Sequence, residues 1–452
     1  MQRFCVRLLT VLMFLALAGP TPAGAQTPLA VANDRATPEF PERLTFSADL
    51  QGQAEIQRVV LEYGADQLSC SQVVAKAFPE FTPGLSVSVA WTWEMRQSGS
   101  LPPGAQVWWR WRVTEADGRE TVTEPQTITW LDAEHAWQTV SGGGLNLHWY
   151  SGGASFGRQL HDSAVRSLAA LERSTGLSAE APIDLYIYAN TDDMRAAVLY
   201  EPGWTGGLAY PAHAVVIIGI APEDLAWGQR TQAHELTHVL VGHRTFSCLG
   251  VVPTWLNEGL AVYGEGGPEA ASLEQFDAAV AADAVLPVRA LSGGFSEDPA
   301  QADLSYSQSY RLTQYLIDTY GQPAMLDLLG QLRDGATVDA ALQAAYGFDL
   351  DGFEAEWRAA LGLAPRQRAN ATAMPVPTVV PTLVPVAALP TTAAAPASTP
   401  DIAAATPQPA AASAGNSGLR LAALIGLAVV LVIGLGLGGA ALVLAFRPRR
   451  QP

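Results

Sequence analysis

The chain has 452 residues, of which 49% are hydrophobic and only 15% charged, and it carries a formal net charge of −17. That length suits two or three domains. So acidic a chain argues against a nucleic-acid partner, because phosphate binding needs clustered Lys and Arg; the charge serves solubility.

The N-terminus has the pattern of a secretory signal peptide over residues 1–25. Arg3 and Arg7 supply a positive start, Leu8 to Ala18 is a short apolar run, and Ala23-Gly24-Ala25 is a small-residue cleavage site. No Cys follows in the position that would take a lipid. Of the three cysteines, Cys5 goes with this segment. Cys70 and Cys248 remain, one in each globular region described next. In an oxidising compartment they either pair or stand as two free thiols.

Residues 26–135 give strand signals. Arg58 to Tyr63, Ser86 to Trp93, Val107 to Val113 and Thr127 to Trp130 alternate, and turn residues such as Ala116-Asp117-Gly118 separate them. Short strands at this spacing predict a β-sandwich similar to immunoglobulin or fibronectin type III modules. No catalytic cluster lies there, so the default role is a spacer or a substrate-presenting module.

Residues 136–363 change character. Leu145 to Tyr150, Ile183 to Tyr188 and Ala214 to Ile218 read as strands. A helix after the first has Leu160, Ala164, Leu168 and Leu171 on one face. Further helices are expected over 310–320, 324–332, 338–346 and 353–361, broken at Gly321, Gly335 and Gly347. Strands first and helices later predict an α+β fold.

The chemistry concentrates in His234-Glu235-Leu236-Thr237-His238. On a helix the two histidines share a face, so both imidazoles can reach one Zn²⁺. No Pro or Gly interrupts Thr231 to Val241. Glu235 lies between the ligands, where a carboxylate can act as general base on water. Twenty positions after His238 comes Glu258, in Trp255-Leu256-Asn257-Glu258-Gly259-Leu260-Ala261. Pro253 and Thr254 mark a helix start there. A second helix against the first would bring Glu258 to the metal. Three protein ligands with one open position is the catalytic arrangement, whereas structural zinc sites are closed by four.

These two motifs resemble those of gluzincin metallopeptidases. Asn257 to Glu265 is similar to the glutamate-ligand helix of aminopeptidase N-type enzymes, and the thermolysin group shows similar ligand spacing. Leu145–Leu363, about half the chain, resembles peptidase MA-like domains of bacterial surface proteins. The resemblance implies a zincin-like metallopeptidase domain, a small sheet plus helices. It implies one Zn²⁺ on His234, His238 and Glu258, with Glu235 as base. Tyr306 and Tyr310 are candidates for the oxyanion donor, or they simply pack. The strand Ala214–Ile218 is either internal or an edge able to pair with an extended peptide. The sequence has no counterpart of the Gly-x-Met-x-Asn signature with which aminopeptidases grip a substrate amino terminus, which favours an endopeptidase. His213 and His243 are read as structural, and His135, His148 and His161 have no evident partners.

Residues 364–417 are rich in Ala, Pro and Thr and almost uncharged, which predicts an extended stalk. Asn370-Ala371-Thr372 matches a glycosylation acceptor. Residues 418–446 form the expected transmembrane helix, and the tail 447–452, with Arg447, Arg449 and Arg450, is expected in the cytoplasm. The whole therefore reads as a single-pass cell-membrane protein with an extracytoplasmic zinc peptidase that acts on peptides or proteins. The alternative is a surface binding or adhesion module on a peptidase fold that has lost catalysis. The intact Glu235 favours the enzyme, and the oligomeric state stays open.

Overall fold

A computed structural model describes residues 29–366, apart from 72–73, 99–100 and 200–205. The expected signal peptide, the stalk beyond residue 366, the span and the tail lie outside the described residues. Among the described residues no helix is long and apolar enough to cross a membrane.

The N-terminal region holds β1 (Ala30–Glu39), β2 (Arg43–Ala65), β3 (Ala75–Ala77), β4 (Gly84–Glu94), a single turn α1 (Met95–Ser98), β5 (Ala105–Glu115), β6 (Glu120–Val122) and β7 (Gln126–Trp130). Strand β2 decides its shape. Its first half pairs with β1 and β4, its second half with β3 and β5, and the register shifts between Gln51 and Ile56. Alternation puts Leu44, Phe46, Ala48 and Leu50 inward in the first half. Phe46 and Tyr63, from opposite halves, have ring centroids 5.8 Å apart. A straight strand, at about 3.3 Å per residue, would hold them far apart. The two layers are thus one seven-stranded hydrogen-bonded sheet folded over on a continuous strand, which differs from the separately strung sheets of an immunoglobulin-like module. Trp111 and Trp130 are fully buried in the core between the layers.

The second region runs β8 (Gln138–Gly142), β9 (Leu145–Trp149), α2 (Gly153–Thr175), β10 (Ile183–Tyr188), α3 (Thr191–Ala196), β11 (Gly207–Tyr210), β12 (Val215–Gly219), α4 (Leu225–Thr245), α5 (Thr254–Gly264), α6 (Ala270–Ala281), α7 (Pro299–Arg333), α8 (Val338–Tyr346) and α9 (Leu350–Ala360). The sheet order is β11-β12-β10-β9-β8. The central β9, β10 and β12 are parallel, and both edge strands are antiparallel to their neighbours. Strand β12, covering most of Ala214–Ile218, is therefore internal, and the edge on that side is β11. Both faces of the sheet are covered, which is why β12 is apolar throughout. Leu185, Ile187, Val216 and Ile218 face the helices, while Tyr186, Tyr188, Val215 and Ile217 form a separate cluster on the opposite face. Helix α7 is interrupted at Gly321, whose φ of 83° only glycine adopts easily, as the break expected there requires.

The two regions are joined at two neighbouring points. The Leu68 N–H donates to Ala212 O, in the turn between β11 and β12, at 2.7 Å. Cys70 and Cys248 form a disulfide with Cα atoms 5.6 Å apart, which settles the pairing in favour of the cross-link. Cys248 lies in the connector between α4 and α5. The bond closes a sequence separation of 178 residues. Replacing both cysteines with serine is therefore expected to lower the unfolding free energy by up to about 5 kcal/mol, the loop-closure entropy of so long a cross-link. Denaturant titration of the purified protein measures it, and an unchanged midpoint would show that the tie imposes no constraint.

Candidate metal centre

Helix α4 is fixed before its histidines are considered. Gln232 is fully buried and donates through Nε2 to Leu160 O on α2 at 2.9 Å. The face that includes Leu236, Val239 and Leu240 joins the main core. That orientation leaves His234 and His238 side by side, one turn apart, with ring centroids 4.8 Å apart. Helix α5 begins after Pro253, and Gly259 lets it press on α7: a Cβ there would stand 2.2 Å from Thr313 Oγ1 and 2.3 Å from Ser309 O. The close approach drives Glu258 inward, to 0% exposure.

The result is convergence. Glu258 Oε2 lies 3.5 Å from His234 Nε2 and 3.5 Å from His238 Nε2, and one ligand atom from each of the three residues falls within 4.8 Å of the others. Contacts of 3.5 Å are too long for good hydrogen bonds. Among the described residues neither Nε2 atom and neither Glu258 oxygen has a hydrogen-bond partner. Buried polar atoms rarely go unpaired. A cation in their midst would be the shared partner, and two imidazoles with one carboxylate is a donor set of catalytic zinc. The residues therefore fit the metal that the motif implies.

Glu235 is fully buried beside this cluster, and both its oxygens lack hydrogen-bond partners among the described residues. It lies against the edge strand: a Cβ on Gly207 of β11 would stand 3.2 Å from Glu235 Oε1. Burial raises its pKa, opposed by the two imidazoles. Burial also works to raise that of Glu258, but His238 and His234 outweigh it and hold the carboxyl below its usual range. For His234, burial disfavours the charged ring, yet Glu258, Glu265 and Glu235 prevail and push its pKa up to about 9.

Tyr306 on α7 is 5% exposed and its hydroxyl has no hydrogen-bond partner among the described residues. Burial and then the charges of Glu258 and Glu235 raise its pKa well above the usual phenol value, so it stays a donor. Tyr310 is placed differently: its ring lies 6.3 Å from that of Tyr263, with its hydroxyl against Gly267. Of the two tyrosines, Tyr306 is the one within electrostatic reach of the cluster. The remaining histidines have other surroundings. His243 Nε2 meets Pro211 O at 2.7 Å, His161 Nε2 meets Gly142 O at 3.2 Å, and His148 Nε2 meets Asp184 Oδ1 at 3.0 Å.

Sequence reading passed over three participants. The side chain of Glu265, just past α5, is 3% exposed and sets Oε2 4.0 Å from His234 Nδ1, while Arg230 approaches its other oxygen at 3.8 Å. At that distance the Glu265 carboxylate acts on the ring through its charge, and it helps to raise the pKa of His234. The signal was its spacing of two helical turns from Glu258. Gly207 carried no signal, since its role depends on a strand that the sequence did not reveal.

Residues 163–362 match the profile of the peptidase MA superfamily. No curated protein matches the chain. Among solved structures, OgpA from Akkermansia muciniphila is 9% identical, with a TM-score of 0.19 over 24% of this chain and 30% of that one. An M1 zinc metallopeptidase from Deinococcus radiodurans is 13% identical, with a TM-score of 0.33 over 75% of this chain and 93% of that one. The chain thus spans under a third of the length of OgpA.

A ligand nitrogen must give up its proton before it binds metal. Because the His234 pKa is raised to about 9, that proton is present at neutral pH in the metal-free protein. Apparent zinc affinity is therefore expected to rise roughly tenfold per pH unit between about pH 6 and pH 8 and to level off above about pH 9. Competition against a chromophoric chelator reads it, and a pH-independent affinity would contradict the proton on His234.

Proposed function

We propose, from the premise that residues 163–362 are a gluzincin-like peptidase MA domain, that the chain is a zinc-dependent endopeptidase acting on peptides or proteins. The observation that carries this reading is the convergence of His234 Nε2, His238 Nε2 and Glu258 Oε2, buried and without hydrogen bonds, beside the unpaired Glu235 carboxylate. One zinc ion held by the three ligands would supply a Lewis acid that polarises the scissile carbonyl and acidifies water.

The chain's own residues supply the rest. An extended substrate pairs with β11, the antiparallel edge that runs past Glu235. Glu235 takes a proton from the attacking water and returns it to the leaving nitrogen. A carboxyl whose pKa is raised by burial suits that double role. The Tyr306 hydroxyl donates to the carbonyl oxygen as negative charge develops on it. Glu265 sets its charge behind the His234 ring, with Arg230 balancing it. The absence of Gly-x-Met-x-Asn leaves nothing of that kind to fix a substrate amino terminus, which favours internal cleavage.

Glu235→Gln keeps the ligands and volume, so zinc should remain bound while cleavage of a quenched peptide falls by about 10²-fold or more. Tyr306→Phe is expected to lower kcat by about 10²-fold with little change in zinc content. Glu258→Ala removes a ligand, so zinc affinity itself should drop. Elemental analysis beside turnover separates these outcomes. Glu235→Gln cleaving at the parent rate would sink the mechanism, and a parent that binds zinc but cleaves nothing across a broad library would favour a binding module.

We also propose that the enzyme stands outside the cell on a single span, from the apolar run Leu421 to Phe446 and the arginines after it. A disulfide joining the two folded regions suits an oxidising space. Protease treatment of intact cells should release the folded part by cutting within 367–417; its full protection would overturn the topology.

A further inference from the structure

We infer that Phe295 is the positioning residue for Tyr306: its ring fixes the direction of the phenol, so that the hydroxyl is set for the developing oxyanion before a substrate arrives. The inference deepens the peptidase reading and rests on it, because Tyr306 has that task only in a peptidase.

The need for such a residue comes from Tyr306 itself. Helix α7 fixes its backbone, but its side-chain torsions are still to be set. Its hydroxyl is buried and, among the described residues, has no hydrogen-bond partner. A buried hydroxyl without a partner is unfavourable, so the phenol gains by turning toward any acceptor in reach. No hydrogen bond gives it a direction, and packing must. Among the described residues the aromatic ring against Tyr306 is that of Phe295, with centroids 4.8 Å apart and planes at 84°. Edge-to-face pairs of this kind are favourable and directional, because the positive edge of one ring meets the negative face of the other.

Phe295 is itself held for this purpose. It is the one large apolar side chain in Ser292 to Asp298, a stretch that reads Ser-Gly-Gly-Phe-Ser-Glu-Asp. Its ring is partly buried against the main core, which the ligand helices share. An added Cβ on Gly293 or Gly294 would meet nothing within 4 Å, so in this stretch Phe295 supplies the packing. Both ends of the stretch are fastened. Ser292 O lies 3.5 Å from Thr254 Oγ1, at the first residue of α5, the helix that carries Glu258. At the other end Asp298 caps α7: its carboxylate accepts the Gln301 N–H at 3.0 Å, and Ser296 Oγ accepts the Asp298 N–H at 3.1 Å. The stretch therefore spans from the start of the Glu258 helix to the start of the Tyr306 helix. Phe295 in mid-span meets Tyr306 about two turns along α7.

Peptide turnover, zinc content and hydroxyl-radical footprinting of the purified full chain test this. Footprinting, read by mass spectrometry, reports how open the Tyr306 ring is to solvent and does not depend on activity. Phe295→Ala is expected to lower kcat by about threefold to tenfold, the scale of an edge-to-face ring pair, with KM and zinc content close to those of the parent. It should also raise the labelling of Tyr306. Phe295→Tyr keeps the ring and should restore the parent kcat. Phe295→Leu keeps apolar bulk, guards against a folding defect and should fall between. In a Tyr306→Phe background Phe295→Ala should cost nothing further in kcat, since the hydroxyl it positions is gone. An equal loss in both backgrounds, a rise in KM with kcat unchanged, or parent-like labelling of Tyr306 in Phe295→Ala would overturn the inference. If the parent binds zinc but cleaves nothing, the peptidase reading fails by itself. The labelling then decides alone: a rise keeps the positioning of Tyr306 by Phe295, and no change removes it.

Discussion

Where α4 meets α5, two imidazoles and three carboxylates lie almost wholly out of water. Isolated charges in such a place cost several kcal/mol each, and they persist only when each has a compensating neighbour. Here the groups compensate one another: the carboxylates keep His234 protonated, and the imidazoles keep Glu258 ionised. The arrangement remains short of hydrogen bonds, which is the state of a site built around a cation. Much of the second region serves to hold that arrangement. Gln232 pins α4 to α2, and Gly259 admits α5 to within touching distance of α7. The contacting stretch of α7 is small and polar, with Ser305, Ser309 and Thr313 all buried. Larger side chains there would hold α5 off and withdraw Glu258 from the histidines.

The same closeness governs the Glu235 side of the site. Strand β11 is short and its first residue is a glycine, so its backbone comes directly against the Glu235 carboxylate. A side chain at that position would push either the strand or the carboxylate aside. The turn that follows β11 is held by His243 of α4 from one side and by Leu68 of the N-terminal region from the other. Two residues after Leu68, Cys70 fastens the connector between the two ligand helices. A single loop of the β-rich region thus touches both the turn after the edge strand and the connector between the two helices that carry the candidate ligands. That region is better understood as part of the frame of the site than as a spacer.

The sequence by itself determined the candidate ligand set and the mixed α and β character of the second region. A four-residue interval on a helix places two imidazoles together regardless of what surrounds them, so His234, Glu235 and His238 were legible from local geometry alone. Glu258 was legible because its helix start and its distance along the chain matched a known pattern. Strand β9 was legible from its alternation, and β10 and β12 from their content of apolar, β-branched and aromatic residues. The tertiary structure alone decided what depends on neighbours distant in the chain. Strand β11, four residues of Gly-Leu-Ala-Tyr, has no alternation to read, and only pairing with β12 makes it the edge. Tyr306 and Tyr310 lie about one helical turn apart, and only the packing of α7 sets the first near the carboxylates and the second against Gly267. The fold of β2 onto itself and the Cys70–Cys248 bond have the same origin. Periodicity records which face of an element is buried, whereas which element buries it is settled by contacts that form only when the chain closes on itself.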